Sequence, residues 1–519
     1  MATGSASGVR EGLSSVTRGT LFLLVSTLCF VGLTFVSRVM LVRSISPADW
    51  NAYSFGLTLA ALLSAFGTLG LPTAIARSIP YSASDSERRG YVRAALLLGA
   101  IAAFLASLVL WLFAGPIGRA LGQPEIGLGL EFFAISVGTS IIAALIASIF
   151  QGFEDVAPNA FFVQIVNPAL FIGFLAVAFV LPSYGISYGE ALLAYLLANI
   201  ATLGLLVLYV FLRLPRHLPA GPRSPDAVGR LLRFAAPLFV VTIMASVTGS
   251  GDTVILGIYH SSEVGTYTAS LTLARLLQIG ISALGYIFLP VATKFLRQND
   301  AGSIPITYAT ATKWMLLFSL PLFLLFFFLP ANSLGFVYGP SYTLVVVPLQ
   351  IAVLGSFLTT LLGPSNTTQV AYGQTRLLMY NAIAAGLLDL ALSLLLIPSY
   401  GYAGAAVAWA GANVAYTGLS LGQLATASGV HPFRRDFTVP VLLTALPLGI
   451  LFAALRPSVP WWSLPGVGLA IAGLFALVVL ATRSIDDGDR LLLEAVERLF
   501  GRPLRLVRSI GRYGLRGRR

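Results

Sequence analysis

The chain has 519 residues, of which 57% are hydrophobic and only 10% charged, against roughly a quarter charged in an ordinary soluble domain. That balance leaves too little polar surface to cover a globular fold in water, and so excludes a soluble enzyme or binding module. The net charge is +12, and the single cysteine, Cys29, excludes an internal disulfide and a thiol-held metal cluster; no metal or cofactor is expected.

Backbone groups that face lipid have to be satisfied inside their own segment, so apolar stretches of about twenty residues are read as membrane-spanning helices. The first, 20–42, follows Arg10 and Arg18 in the manner of a signal peptide. It is too long and lacks an Ala-x-Ala exit, and is read as a retained helix. Spans follow at 52–76, 94–115, 129–150, 160–181, 189–212 and 234–258. A second set falls at 265–291, 314–335, 343–363, 377–397, 402–426, 438–455 and 461–482. The expected fold class is an all-α polytopic membrane protein of about fourteen transmembrane helices.

Lys and Arg resist translocation, so their distribution over the loops orients the chain. With the N-terminus inside, 27 of the 32 basic residues fall in cytoplasmic segments, three (Arg43, Arg119, Arg456) fall outside, and Arg38 and Arg275 lie within spans. Both termini are then cytoplasmic in a cell membrane. Nucleic-acid-stacking aromatics are scarce beside the basic runs, so nucleic acid is not a partner, and membrane phosphate is.

The sequence also repeats. A shift of 214 residues lays Asp49–Leu63 over Glu263–Leu277 with seven of fifteen positions identical; Pro182–Gly185 recurs as Pro398–Gly401, and Ala198-Asn199 as Ala412-Asn413. Spans 1–6 and 7–12 read as one duplicated unit. An even number of spans per copy makes the repeat parallel, an arrangement found in transporters. The expected domains are a cytoplasmic N-terminus (1–19), an N-lobe (20–213), a cytoplasmic linker (214–233), a C-lobe (234–427), spans 13 and 14 (428–482) and a basic tail (483–519), with the lobes around a central cavity.

An arginine followed by Tyr53, a Gly-Leu turn at Gly70-Leu71, then Asp252, Val264-Gly265-x-Tyr267 and IPSYGYAGAA at Ile397–Ala406 make the chain resemble the polysaccharide-transporter branch of the multidrug/oligosaccharidyl-lipid/polysaccharide flippase superfamily. The resemblance covers nearly the whole chain. It implies export of a lipid-linked glycan by turning it over from the cytoplasmic to the outer leaflet, with glycan-assembly enzymes as the protein partners of that role.

A charge at mid-bilayer costs roughly 2.5–3.5 kcal/mol on insertion scales and so usually faces a cavity or a partner. Four such residues are candidates for binding substrate: Arg38, Asp252, Arg275 and Asp389. Asp252 follows Gly249 and Gly251, which weaken the helix and suggest a hinge. Subtracting the repeat shift places Arg38 and Asp252 at equivalent points of the two lobes, where they are expected to meet across the cleft. Asn199, Gln278 and Asn413, with Gln164 and Asn167, are candidate cavity amides, against the commoner role of interhelical hydrogen bonding.

No phosphate loop, HExxH or nucleophile elbow occurs, so the chain is not expected to be an enzyme. A cation-coupled drug exporter of the same superfamily would want buried carboxylates in the first lobe, which offers Arg38 instead. A glycan polymerase or ligase would want a large outer loop, and none is present. In the tail, Leu492, Val496 and Leu499 share a helical stripe among ten arginines. That pattern suits a helix lying on anionic lipid.

Overall fold

The computed structural model describes residues 3–180, 185–218, 227–298, 300, 302–343, 345–433, 435–455, 460–482 and 484. The basic tail, apart from Ser484, lies outside the described residues, as do 219–226 of the expected linker.

Among the described residues every regular element is helical. They are α1 (Thr3–Ser44), α2 (Pro47–Gly67), α3 (Leu71–Ser78), α4 (Asp85–Ala120), α5 (Pro124–Gly152), a π-helical turn (Pro158–Val166) that runs into α6 (Asn167–Val180), and α7 (Tyr188–His217). The second part holds α8 (Ala227–Tyr259), α9 (Val264–Leu276), α10 (Ile279–Arg297), α11 (Ser303–Phe328), α12 (Pro330–Tyr338), α13 (Val346–Leu361), α14 (Ser365–Ala371), α15 (Thr375–Ser428), α16 (Arg435–Leu455) and α17 (Leu464–Ala481).

Local sequence explains where these helices start. Ser46 Oγ accepts from Asp49 N at 3.1 Å just before Pro47 opens α2. At α7, Ser187 and Glu190 cap each other, with Ser187 N donating to Glu190 Oε2 at 2.7 Å. These are the side-chain acceptors and N-terminal prolines that orphan helix-start donors require.

The helices are apolar on the outside. Helix α4 exposes Ile101, Phe104, Leu105, Leu112 and Phe113 and buries Gly99, Ala102, Ala103, Ala106 and Gly118. An apolar outer face has its favourable solvent in lipid, and a small-residue inner face lets backbones approach closely. A Cβ at Gly118 would stand 2.8 Å from Gly127 N, so α4 and α5 touch main chain to main chain there.

Among the described residues ten helices are long and apolar enough to cross a membrane, and twelve if each of two bent pairs is one span. The bent pairs are where single spans were expected at 52–76 and 265–291. Helices α2 and α3 turn by 41° through Leu69 and Gly70, both at positive φ, and α9 and α10 turn by 44°. Helix α15, 54 residues long, would reach roughly 80 Å at 1.5 Å per residue, well beyond one bilayer core of about 30 Å. It is two helices joined at Gly401 (φ 53°, ψ −133°). The apolar stretch Thr438–Ala454 of α16 is shorter.

Two compact units divide the described chain. One holds residues 25–268 with 393–402. In it α4 and α5 pack together, α2 and α7 lie on α5, and α8 packs on α2, α3 and α4, so the helix expected to begin the C-lobe packs with helices expected in the N-lobe. The other unit holds the remaining residues. There α11 is surrounded by α10, α13, α16 and α17, over a core that includes Phe288, Tyr308, Met315, Leu421 and Leu424.

Candidate functional site

In the unit of residues 25–268, an aromatic cluster surrounds the start of α2. Trp50 stacks on Tyr53 with ring centroids 5.8 Å apart, and Phe133 and Tyr195 meet Tyr53 edge-on at 5.4 and 6.3 Å. Tyr53 is fully buried, and its hydroxyl has no hydrogen-bond partner among the described residues. Arg38, half-buried on α1, lies within electrostatic reach of the Tyr53 and Tyr195 hydroxyls. The Arg38 charge is thus near two phenols in a largely apolar surrounding, where a charge interacts more strongly than in water.

Asp252 belongs to the same unit and is completely buried on α8. The Tyr267 hydroxyl donates to Asp252 Oδ2, and Thr253 Oγ1 donates to Oδ1 at 3.3 Å. Subtracting 214 turns the Asp252–Tyr267 pair into Arg38–Tyr53, so the two positions carry opposite charges, each followed 15 positions on by a tyrosine. Arg38 and Asp252, expected to face each other from opposite lobes, lie in one compact unit. Helix α8 runs unbroken through Gly249 and Gly251, the expected hinge.

The amides divide by use. Gln164, in the π-helical turn, accepts from Ser26 and Thr27 at 2.8 and 3.2 Å, and Asn167 donates to Thr202 at 3.2 Å. These bond helix to helix. Asn199 in this unit and Asn413 in the other each donate to the carbonyl four residues back, Tyr195 O at 2.9 Å and Trp409 O at 2.8 Å, so two residues 214 apart do the same thing.

The second unit holds the other candidates. Arg275 is exposed in the last turn of α9, two residues before the break that Gln278 borders, rather than deep in a continuous span. At that place the carbonyls ending α9 favour a cation. Asp389 is completely buried on α15.

Two polar features escape a reading of the sequence. Lys313, assigned there to a cytoplasmic loop, is buried inside α11 and donates to Ser484 O at 2.7 Å, three residues beyond the end of α17. Its flank by Trp314 and a run of apolar residues was the available signal. Gln369, Asn381 and Gln423 form a buried amide network, with Gln369 Nε2 to Gln423 Oε1 at 2.6 Å and Asn381 Nδ2 to the same oxygen at 2.9 Å. Nothing local distinguishes these amides from exposed ones. The acceptor pattern Asn366-Thr367-Thr368 is unsuited to glycosylation in the folded chain, because Asn366 Oδ1 and Thr368 are buried.

The arrangement supplies charge, phenols and aromatic faces within apolar helices. The family described as polysaccharide biosynthesis protein matches residues 16–296. No curated protein matches the sequence. Among solved structures, the lipid II flippase MurJ in an inward closed conformation is similar at 14% identity with a TM-score of 0.69, over 89% of this chain and 99% of that one. A multidrug resistance MATE family transporter of the MOP superfamily, inward-facing, is similar at 13% identity and TM-score 0.62 over 80% of this chain and 99% of that one. A MOP superfamily transporter from Pyrococcus furiosus gives 13% identity and 0.57, over 80% of this chain and 96% of that one. Likeness at these identities is likeness of fold.

Proposed function

We propose, since the chain belongs to the polysaccharide biosynthesis protein family, that it is a flippase for a lipid-linked oligosaccharide, carrying a polyprenyl diphosphate glycan from the cytoplasmic to the outer leaflet by alternating access. The observation that carries the reading is the sign of the charge in the first repeat. Arg38 lies there within electrostatic reach of Tyr53 and Tyr195, whereas the acids Asp49 and Glu190 sit at helix starts, engaged with Ser46 and Ser187, and Glu131 is exposed on α5. A diphosphate is an anion that an arginine holds by charge-assisted hydrogen bonds, and a cationic drug is not. In this reading Arg38, Asp252, Arg275, Asp389, Gln278, Asn199 and Asn413 contact substrate during turnover, and Gly249 and Gly251 allow α8 to flex.

The same reading gives a cell-membrane protein with both termini cytoplasmic, fourteen spans and two six-span repeats. The ten spans, the two bent pairs, the division of α15 at Gly401 and the short apolar α16 support that count. The tail from Arg483 rests on anionic lipid of the inner leaflet.

The test is turnover in vesicles. Purified chain reconstituted with a fluorescent polyprenyl diphosphate oligosaccharide should expose the glycan to an added glycosidase faster than protein-free vesicles do. Arg275→Ala should abolish this gain at unchanged protein abundance, and Arg275→Lys should retain part of it. Equal exposure with and without protein rejects the reading, and full activity of Arg275→Ala rejects the role of that arginine.

A further inference from the structure

Two segments that the repeat makes equivalent touch each other. Gly265 N donates to Asn51 Oδ1 at 2.6 Å, and Trp50 Nε1 donates to Gly265 O at 2.8 Å. Asn51 and Gly265 are separated by 214 residues, the repeat shift itself. In a two-fold arrangement a residue meets its own counterpart only near the axis, because rotation carries each onto the place of the other. Contact between Asn51 and Gly265 therefore marks where the pseudo-two-fold axis passes. The approach is close enough to require glycine: a Cβ at Gly265 would stand 2.5 Å from Asn51 Oδ1, 2.6 Å from Trp50 Cδ1 and 3.0 Å from Asn51 N. The chain breaks the symmetry there, with a side-chain acceptor on one copy and a bare backbone on the other. Both main-chain polar groups of one residue, the Gly265 N–H and C=O, thus bond to side chains of α2, and the Trp50–Gly265 bond is buried.

We infer that Trp50, Asn51 and Gly265 form a clasp on the pseudo-two-fold axis that holds the starts of α2 and α9 together and has to open for outward release. The inference rests on the transporter reading and on its orientation, in which these helix starts face outside. Three features suit a contact that breaks and re-forms. It consists of two neutral hydrogen bonds, each contributing modestly in net terms. It involves a backbone unit that keeps its geometry in either state. It also lies next to both charge–tyrosine pairs, since Tyr53 and Tyr267 follow Asn51 and Gly265 by two residues in each copy.

The experiment uses the full chain with Cys29→Ser, a protease site inserted within 219–226, and Asn51→Cys with Gly265→Cys in a Trp50→Ala background, so that the amide and the ring that a Cβ at 265 would strike are both removed. Oxidation should join the two halves so that they migrate together after proteolysis on a non-reducing gel. Turnover of the polyprenyl diphosphate glycan should then fall to the protein-free background and return on reduction. Halves that separate under oxidation, or cross-linked chain with undiminished turnover, overturn the clasp. A parent chain with no turnover at all counts against the transporter reading alone. The clasp is then decided by Gly265→Ala, whose methyl pushes on Asn51 and Trp50: labelling of Tyr53→Cys by an impermeant maleimide should rise from the near-zero level of the unwedged chain. Unchanged labelling overturns the clasp without reference to any substrate.

Discussion

Asp252 and Tyr267 show how far single residues can be read from a sequence. A carboxylate inside an apolar run stands out, and so does a tyrosine in the Val-Gly-x-Tyr pattern. Their contact does not, because the two lie 15 positions apart in sequence and the chain between them passes through a turn whose path depends on packing. Lys313 shows the opposite error. Near the edge of a span, hydropathy cannot tell a buried lysine from one in the headgroup layer, and its acceptor lies 171 residues away. The equivalent tyrosines give a prediction. Tyr267 donates to a buried carboxylate, so Tyr267→Phe should cost about 1–3 kcal/mol, the range for a hydrogen bond to a charged group or an acceptor left behind. The Tyr53 hydroxyl is buried with no hydrogen-bond partner among the described residues, so Tyr53→Phe should change stability by less than about 0.5 kcal/mol. Thermal unfolding of both variants in one detergent checks this, and equal losses would remove the distinction.

At the scale of elements, the class of fold is legible because it needs only windows of about twenty apolar residues. Helix breaks need more, since they are settled by what lies alongside. The turn between α2 and α3 was visible as a Gly-Leu pair, yet the reason for its glycine is tertiary: at φ +70°, a Cβ on Gly70 would stand 2.7 Å from Ala235 O and 2.8 Å from Phe239 N of α8. Glycine is demanded by both conformation and space. Gly122 has a similar φ of +66° with nothing within 4 Å, and so isolates the conformational part. Gly122→Ala should cost about 1–2 kcal/mol, the left-handed penalty. Gly70→Ala should cost about 1–3 kcal/mol more, as overpacking does. Unfolding midpoints of the pair test the difference, and identical shifts would mean that α8 yields freely. The division at Gly401 has the same character, because a Cβ there would run into the Glu263 carboxylate, whose Oε2 also accepts from Tyr402 N at 2.7 Å.

For the whole molecule, the proposed orientation rests on charge asymmetry, and the helices between labelled points supply an independent check. In a chain carrying Cys29→Ser, single cysteines at Ser86, Pro222 and Ser303 should react with impermeant maleimide only from the cytoplasmic side, and one at Ser183 only from outside. The basic residues predict this, with 27 in the segments expected inside against three in those expected outside. The helices bear separately on which positions share a face. Three spans, Asp85–Ala120, Pro124–Gly152 and Pro158–Val180, separate Ser86 from Ser183, and one, Tyr188–Pro215, separates Ser183 from Pro222. Odd numbers place those ends on opposite faces. Between Pro222 and Ser303 lie Ala227–Tyr259 and the bent pair formed by Ser261–Leu276 with Ile279–Gly285, which return the chain to the same face only if the pair crosses as one span. Ser303 labelled from outside while Ser86 and Pro222 label from inside would mean that the pair dips into the membrane and returns, and the clasp at its start would then have no outer end to close. All four positions inverted would keep every crossing and reverse the direction of transport.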